Sequence, residues 1–540
     1  MGKYTIVAAD NIKGSGLDLL KSHFGEDGVV VRGKFDEAEL IEKIGGFDAL
    51  LIRSGTTVTR KALEAAGDRL KLVGRAGVGT DNIDKAAATE KGIIVMNTPF
   101  GNTVSAAEQA IALLFATARN TARADALMQQ HKWEKKSLVG TEVFNKTLGV
   151  VGLGKIGQHV AQVMKAAGMR IIAFDPFINA QRASELTIEL CTDIDDLLAK
   201  ADFVTFHIPL TDKTRNLLSA ERIARMRKGA RVVNCARGGI IDEAALAEAV
   251  KSGHLGGAGF DVFSQEPMTE GPLFGVRDIT LAPHLGASTE EAEERCGIQI
   301  AEQTIAYFES GRIMNAVNVT YSPDESLKLY AELAGVMGRI ATRLVHSAIH
   351  EVSVELAGDF FAGKDGGIIR SSAIKGVLDE LDIEGVNAIN ADYVAQQRGI
   401  KPDLSMTNDL GHLRIEHVAL TVKGKRGNDE VTTYLAGTVY KDGRKRILQI
   451  DDADIEVRLD KHMLFLRYTD KPSIIGKVGT ILGDNNINIE NMQVGILKSL
   501  NKASMVIGTS QPVPQDVLAQ IAEAELLKPV RINTVNNIDL

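Results

Sequence analysis

The chain has 540 residues, 44% of them hydrophobic and 24% charged. That is room for roughly three to four domains with real cores, and it excludes global disorder. Its 62 Lys and Arg against 70 Asp and Glu give a net charge of −8, which argues against a bulk nucleic-acid coat but leaves open a local basic pocket. Three cysteines (Cys191, Cys235 and Cys296) are too few for a disulfide framework, and their spacings match no metal pair. No signal-peptide pattern and no apolar run of membrane-span length is read, so a cytoplasmic, metal-free protein is expected.

In chain order, residues 1–98 alternate short apolar runs (5–8, 29–31, 49–53, 72–74 and 93–97) with helical patterns at 37–44 and 60–66. This alternation predicts parallel strands with helices on both faces. A long alanine-rich helix follows at 100–120, opened by Asn102-Thr103. A second series then places strands at 147–151, 170–175, 203–207, 231–234, 257–261 and 279–282, the six of a dinucleotide-binding unit. A helix over 289–310 has Gly311 as its stop and packs back on the first domain. The linker 315–323 opens a region of different texture. There, one helix (325–345) is followed by strand-like alternation and basic turns at Lys423–Arg426 and Arg444–Arg446, read as a solvated hairpin face or as a second anion site. Residues 460–540 read β-α-β-β-α-β, the ferredoxin-like order.

Gly152-Leu153-Gly154-Lys155-Ile156-Gly157 matches G-x-G-x-x-G between a strand and a helix, and Asp175 ends the next strand eighteen residues after Gly157. Gly152 permits the turn, Gly154 lets backbone approach a pyrophosphate, and Gly157 lets helix touch strand. Asp175 would accept from ribose hydroxyls and repel a 2′-phosphate, so NAD is favoured over NADP. Three later strands end in polar runs that core packing does not explain: Asn234-Cys235-Ala236-Arg237-Gly238, Asp261–Pro267 and Pro283-His284-Leu285-Gly286. An Arg, a Glu and a His are the parts required for hydride transfer at a 2-hydroxy acid. The His takes the hydroxyl proton, the carboxylate raises its pKa, and the Arg clamps the substrate carboxylate.

At these runs the sequence resembles the D-isomer-specific 2-hydroxyacid dehydrogenases over residues 1–315. The resemblance implies Arg237, Glu266 and His284 as catalytic residues. It also implies Asp261 on the carboxamide side of the nicotinamide and Pro209 along the cofactor, with Lys155, Ile156 and Cys235 completing the NAD contacts. Arg53 and Arg75, two arginines besides Arg237, point to a substrate with more than one negative group. Resemblance to the long members that act on 3-phosphoglycerate at the start of serine synthesis assigns Arg53, Ser54, Arg75 and Asn102 to that substrate. Residues 316–458 resemble the intervening domain of those members, and 459–540 resemble an ACT domain. There Tyr468, Asp470 and Asn488 are implied to bind L-serine as an effector. The expected architecture is α/β with two doubly wound Rossmann-like domains: a discontinuous substrate-binding domain (1–98 and 289–315) and an NAD-binding domain (99–288). An α+β intervening domain (316–458) and the ACT domain (459–540) follow, in a homotetramer. Two other readings stay open: a hydroxypyruvate or glyoxylate reductase, and a non-enzymatic NAD-sensing scaffold.

Overall fold

The computed structural model describes residues 4–178, 180–319, 321, 324–497 and 502–538, so part of the linker 315–323 lies outside the described residues. Its first sheet has five parallel strands, Ile6–Ala8, Val29–Val31, Ala49–Ile52, Leu72–Arg75 and Ile94–Asn97, in spatial order second, first, third, fourth, fifth. The third strand is a continuous apolar run with all four residues fully buried, as a parallel strand covered on both faces requires. Alternate residues divide between two cores: Val7, Leu50, Ile52, Val73 and Val95 on one face, Ile6, Leu51, Leu72 and Ile94 on the other. The second face is covered by Cys296, Ile300 and Ala301 of helix Glu290–Ser310. That helix starts where the Thr289 side chain accepts from Ala292 N at 3.1 Å, a cap worth ~1 kcal/mol. It stops at Gly311 in the left-handed region, φ 70°. The chain then rejoins the sheet edge through Val317 N to Val95 O at 2.9 Å.

The second sheet has seven parallel strands in the order Ile279–Leu281, Gly257–Phe260, Arg231–Asn234, Phe203–Phe206, Thr147–Val151, Arg170–Phe174, Glu189–Leu190. The strand beyond the expected six is the edge pair Glu189–Leu190. Two residues, one exposed and one half-buried, are too few for a period to register in sequence. The strand order reverses between Thr147–Val151 and Phe203–Phe206, and the loops leaving these neighbours open the crevice where ligands bind in such sheets.

The third sheet is mixed, in the order Lys401–Thr407, Ala348–Ala357, His417–Arg426, Asp429–Val439, Lys445–Ile450, Ala453–Arg458. Besides helix Lys328–Val345, this region holds helices Gly367–Asp379 and Ala391–Gln397, where the sequence predicts only one helix. Helix Gly367–Asp379 buries Ile369, Ser371, Ala373, Ile374, Gly376, Val377 and Leu378, so it lacks the polar stripe that produces a 3.6-residue period. Small residues bring it against Lys328–Val345: a Cβ at Gly376 would collide with Gly335 O, and one at Gly338 with Ala373 O.

The fourth sheet is antiparallel, in the order Ile489–Leu497, Lys502–Thr509, His462–Tyr468, Arg531–Asn536, with helices Ile474–Asp484 and Gln515–Glu523 completing the ferredoxin-like unit. Met463, Phe465, Val506 and Val535 join the core of the third sheet, while Leu464, Leu466, Met505 and Ile507 pack under the two helices. Among the described residues no helix is long and apolar enough to cross a membrane.

Candidate active site

The glycine loop leaves strand Thr147–Val151 and opens helix Lys155–Ala166. Gly152 has φ 92°, and a Cβ at Gly157 would collide with Gly152 O, so the helix closes tightly on the turn. At Gly154 a Cβ would meet no atom within 4 Å, so the loop faces open space. Gly154 is the N-cap and no side chain caps the helix, which leaves its first N–H groups free for an anion. Asp175 lies beside this mouth, its oxygens accepting from Leu153 N and Phe177 N, both at 2.8 Å. The Lys155 ammonium sits 3.2 Å from the centroid of the Phe100 ring. Pro209 is exposed just past strand Phe203–Phe206. An open loop, uncapped amides and an adjacent carboxylate fit a dinucleotide without a 2′-phosphate.

Arg237, Glu266 and His284 follow three neighbouring strands, so the sheet order alone gathers them. A Cβ at Gly238 would collide with the Phe263 carbonyl, so only glycine lets the first two loops meet. His284 Nδ1 lies 2.6 Å from Glu266 Oε2, and Glu266 Oε1 accepts from Phe263 N at 2.9 Å. The Glu266 bond raises the His284 pKa, and partial burial opposes it. On Glu266, burial pushes upward, but the His284 and Phe263 bonds outweigh it and hold the carboxyl below its usual range. His284 itself sits at φ 56°, a left-handed conformation that non-glycine residues adopt at a cost of about 1 kcal/mol and retain mostly where surroundings force it.

The surroundings that force it are centred on Asp261, 1% exposed. Its oxygens accept from Leu285 N (2.8 Å), Gly286 N (2.8 Å) and Gln109 Nε2 (3.0 Å). Three bonds occupy most of a carboxylate's roughly four lone-pair positions, so Asp261 chiefly fixes the loop that carries His284. Burial, followed by the Asp261 charge, pushes the Cys235 thiol well up, which makes it inert.

The first sheet supplies cations from across the cleft. Arg53 Nη2 donates to Glu293 at 2.7 Å, and neighbouring Ser54 is exposed. Arg75 differs. Its guanidinium donates to its own loop at Ala76 O (2.7 Å), its Nε is buried without a partner, and burial lowers its pKa to about 10. Asn102 stands at the N-cap of helix Thr103–Arg119 without capping it, and its Oδ1 is also buried without a partner. Such unmatched groups are costly to a fold, and here they lie where a ligand or water can complete the hydrogen bonds.

Several contributors carry no sequence motif. Asp10 accepts from Arg53 N (2.8 Å), Thr56 N (3.0 Å) and Thr56 Oγ1 (2.6 Å), and Asn82 Nδ2 donates to Arg53 O and Thr56 O, which together shape the Arg53–Ser54 loop. Asp81 pairs with Arg237 at 2.9 Å. Only contacts spanning tens of residues reveal these roles.

In the ferredoxin-like unit, Asp470 and Asn488 are exposed, whereas Tyr468 is 1% exposed and packs with Ile474, Val478 and Leu482. Burial, then the charge of Asp470, raises its phenol to about 12. Most cations of the basic turns are matched: Lys423 pairs with Glu351, Arg444 with Asp442, Lys445 with Glu332 and Arg446 with Glu456, and Arg426 donates to Val345 O and His346 O.

A sheet-crevice mouth for a dinucleotide beside an Arg, Glu and His is the site of a nicotinamide-dependent dehydrogenase. Family models agree. The D-isomer specific 2-hydroxyacid dehydrogenase NAD binding domain matches residues 111–286, the D-3-phosphoglycerate dehydrogenase intervening domain 326–451, and the ACT domain 462–526. The chain is 41% identical to D-3-phosphoglycerate dehydrogenase of Synechocystis sp., covering 96% of this chain and 92% of that one. It is 39% identical to that of Methanocaldococcus jannaschii, covering 92% and 93%. An NAD-dependent formate dehydrogenase from Staphylococcus aureus, solved in complex with NAD, superposes with a TM-score of 0.52 at 28% identity, covering 58% of this chain and 98% of that one. The chain belongs to the D-3-phosphoglycerate dehydrogenase family, within the D-isomer specific 2-hydroxyacid dehydrogenases. It is an NAD-dependent oxidoreductase.

Proposed function

We propose that this enzyme oxidises the C2 hydroxyl of 3-phosphoglycerate to 3-phosphohydroxypyruvate with NAD, opening L-serine synthesis. The observation that carries the choice of substrate is Arg75, half-buried with its Nε unbonded and no carboxylate partner among the described residues, on a loop that also reaches Arg237 through Asp81. With Arg53, which also pairs with Glu293, it offers charge for a second anionic group, and Asn102 adds a neutral amide donor; lactate or glyoxylate would leave these groups unmatched. His284 takes the hydroxyl proton on the nitrogen not bonded to Glu266, and Glu266 stabilises the imidazolium that forms. Arg237 holds the substrate carboxylate and polarises the C2 oxygen. Bound NAD would supply the hydride acceptor facing C2. Gly152, Gly154, Lys155, Ile156 and Gly157 would hold its pyrophosphate end and Asp175 its ribose, with Pro209 and Cys235 along its path and Asp261 behind the loop on the carboxamide side. The deciding assay is NADH formation from 3-phosphoglycerate set against D-glycerate. Equal kcat/KM for the two would overturn the phosphate assignment.

L-serine is proposed as the effector, bound by Asp470 and Asn488 at the unit that matches the ACT model, with Tyr468 behind them in the core. We also propose a homotetramer, with a first contact at the helix Thr103–Arg119, where Val104 and Phe115 are 41% and 38% exposed, extended by pairing of the unit that matches the ACT model. Apolar side chains exposed on a helix face suit association with a second copy. Light scattering giving a monomer mass would overturn this. Three free thiols suit a reducing cytoplasm.

A further inference from the structure

Arg237 comes from the second sheet, yet its guanidinium is held by the first. Its Nε donates to Asp81 at 2.9 Å, and its Nη1 donates to its own Ala236 O at 2.6 Å. Asn234 Nδ2 donates to the Arg237 carbonyl at 2.9 Å and its Oδ1 accepts from Ala236 N at 3.0 Å, which fixes the backbone that starts the side chain. Asp81 belongs to the loop that begins at Arg75 and reaches across the cleft. A planar guanidinium gripped at Nε and on one side of Nη1 keeps its Nη2 donors and one Nη1 hydrogen for a ligand, and its plane can no longer rotate freely.

Gly79, on the same loop, shows how close this approach is. A Cβ there would collide with Arg237 Nη2 and lie 3.1 Å from Asp81 Oδ2. Gly79 has no left-handed φ, so the backbone itself would accept alanine. The missing side chain makes space for the arginine.

We propose that Asp81 is a positioning residue that aims Arg237 at the substrate carboxylate, and that it does so only when the two sheets are in register across the cleft. As an exposed ion pair it contributes little to stability, since Asp81 is 70% exposed and Arg237 30%. Its effect is on orientation. Because Arg75 shares the loop, the same contact sets the spacing between the two cations that bind the two ends of a doubly anionic substrate. This inference rests on the reading of the substrate given above.

The test compares wild type with Asp81→Asn, Asp81→Glu and Gly79→Ala. For Asp81→Asn and Gly79→Ala, kcat/KM for 3-phosphoglycerate should fall roughly 10–100-fold, as a misplaced positioning contact does, with KM for NAD and the melting temperature unchanged. Asp81→Glu should recover part of the loss. Without substrate, phenylglyoxal should modify Arg237 several-fold faster in Asp81→Asn, read by peptide mass spectrometry. Wild-type turnover reports on the reading of the reaction, while variant ratios and the labelling rate report on Asp81. Unchanged kinetics in both Asp81→Asn and Gly79→Ala, or an unchanged labelling rate, would overturn the proposal.

Discussion

The two halves of this molecule solve ligand recognition in opposite ways. In residues 4–319, parallel strands end on one side of each sheet, so loops distant in sequence converge, and Arg237, Glu266 and His284 meet within one chain. In residues 324–538 the sheets are largely antiparallel, strand ends alternate sides, and among the described residues no comparable cluster forms. Asp470 and Asn488 stand exposed near the ends of different strands, with Tyr468 buried behind. The parallel sheets bring a site together within one chain, whereas the exposed Asp470 and Asn488 would, on the association proposed above, be completed by a second copy.

If the first half is self-contained, single substitutions there should act on chemistry alone. His284→Ala should lower kcat by roughly 10²–10⁴-fold, the usual contribution of a general base, with NADH affinity by fluorescence titration unchanged. A loss of cofactor affinity of the same size would mean that the loop and the crevice are not separable. The pH profile sharpens this. Oxidation requires neutral His284, and Glu266 raises its pKa above the ordinary 6.5, so kcat/KM should fall as pH drops through a limb displaced upward. Glu266→Gln removes the main cause of the rise, so its limb should move to lower pH. Reduction requires the protonated form and should show the opposite limb. A limb that stays in place in Glu266→Gln would assign the titration to another group.

Arg75 provides the next largest effect, with two signs. A largely desolvated cation with an unbonded Nε and only Ala76 O to accept from it destabilises the free protein and is useful only when an anion arrives. Arg75→Met should therefore raise the melting temperature by a few degrees while raising KM for 3-phosphoglycerate about 10-fold or more. Added 3-phosphoglycerate should stabilise wild type and not the variant. A variant that melts lower would show that Arg75 is structural.

Much of this was legible in sequence because the physics is local. A glycine at φ 92° before a helix, an acid after the next strand and apolar runs in buried parallel strands each leave a pattern within a few residues. Both doubly wound sheets and the ferredoxin-like order follow from such patterns. What escaped is long-range or aperiodic. Asp10 and Asp81 act on arginines 43 and 156 residues away, and helix Gly367–Asp379 is buried nearly all round. Arg53 and Arg75 look alike in sequence, yet one is paired with Glu293 and the other bonds only Ala76 O and leaves its Nε unmatched.

In the second half, effects should be smaller and tied to association. L-serine should inhibit wild type, and Asp470→Ala should raise the concentration required about 10-fold, the loss of one charge-assisted contact to an ammonium. The basal rate should be unchanged. If the unit is completed by a second copy, this sensitivity should fall on dilution below the association midpoint. Sensitivity independent of dilution would return the whole effector site to a single chain.

The smallest effect separates strain from recognition. Ser473 precedes helix Ile474–Asp484 at φ 71°, in the left-handed region, and its side chain makes no capping bond. An L-residue pays for this conformation and glycine does not, although glycine also loses more freedom on folding. The two terms partly cancel, so Ser473→Gly should stabilise by roughly 0.5–1 kcal/mol, read as a higher urea midpoint at constant m. The loop carrying Asp470 ends at this residue. If the serine response survives in Ser473→Gly, the left-handed turn is a backbone requirement that glycine meets equally well. If stability rises and the response is lost, the Ser473 hydroxyl belongs to the effector site, and the exposed half-site is larger than Asp470 and Asn488.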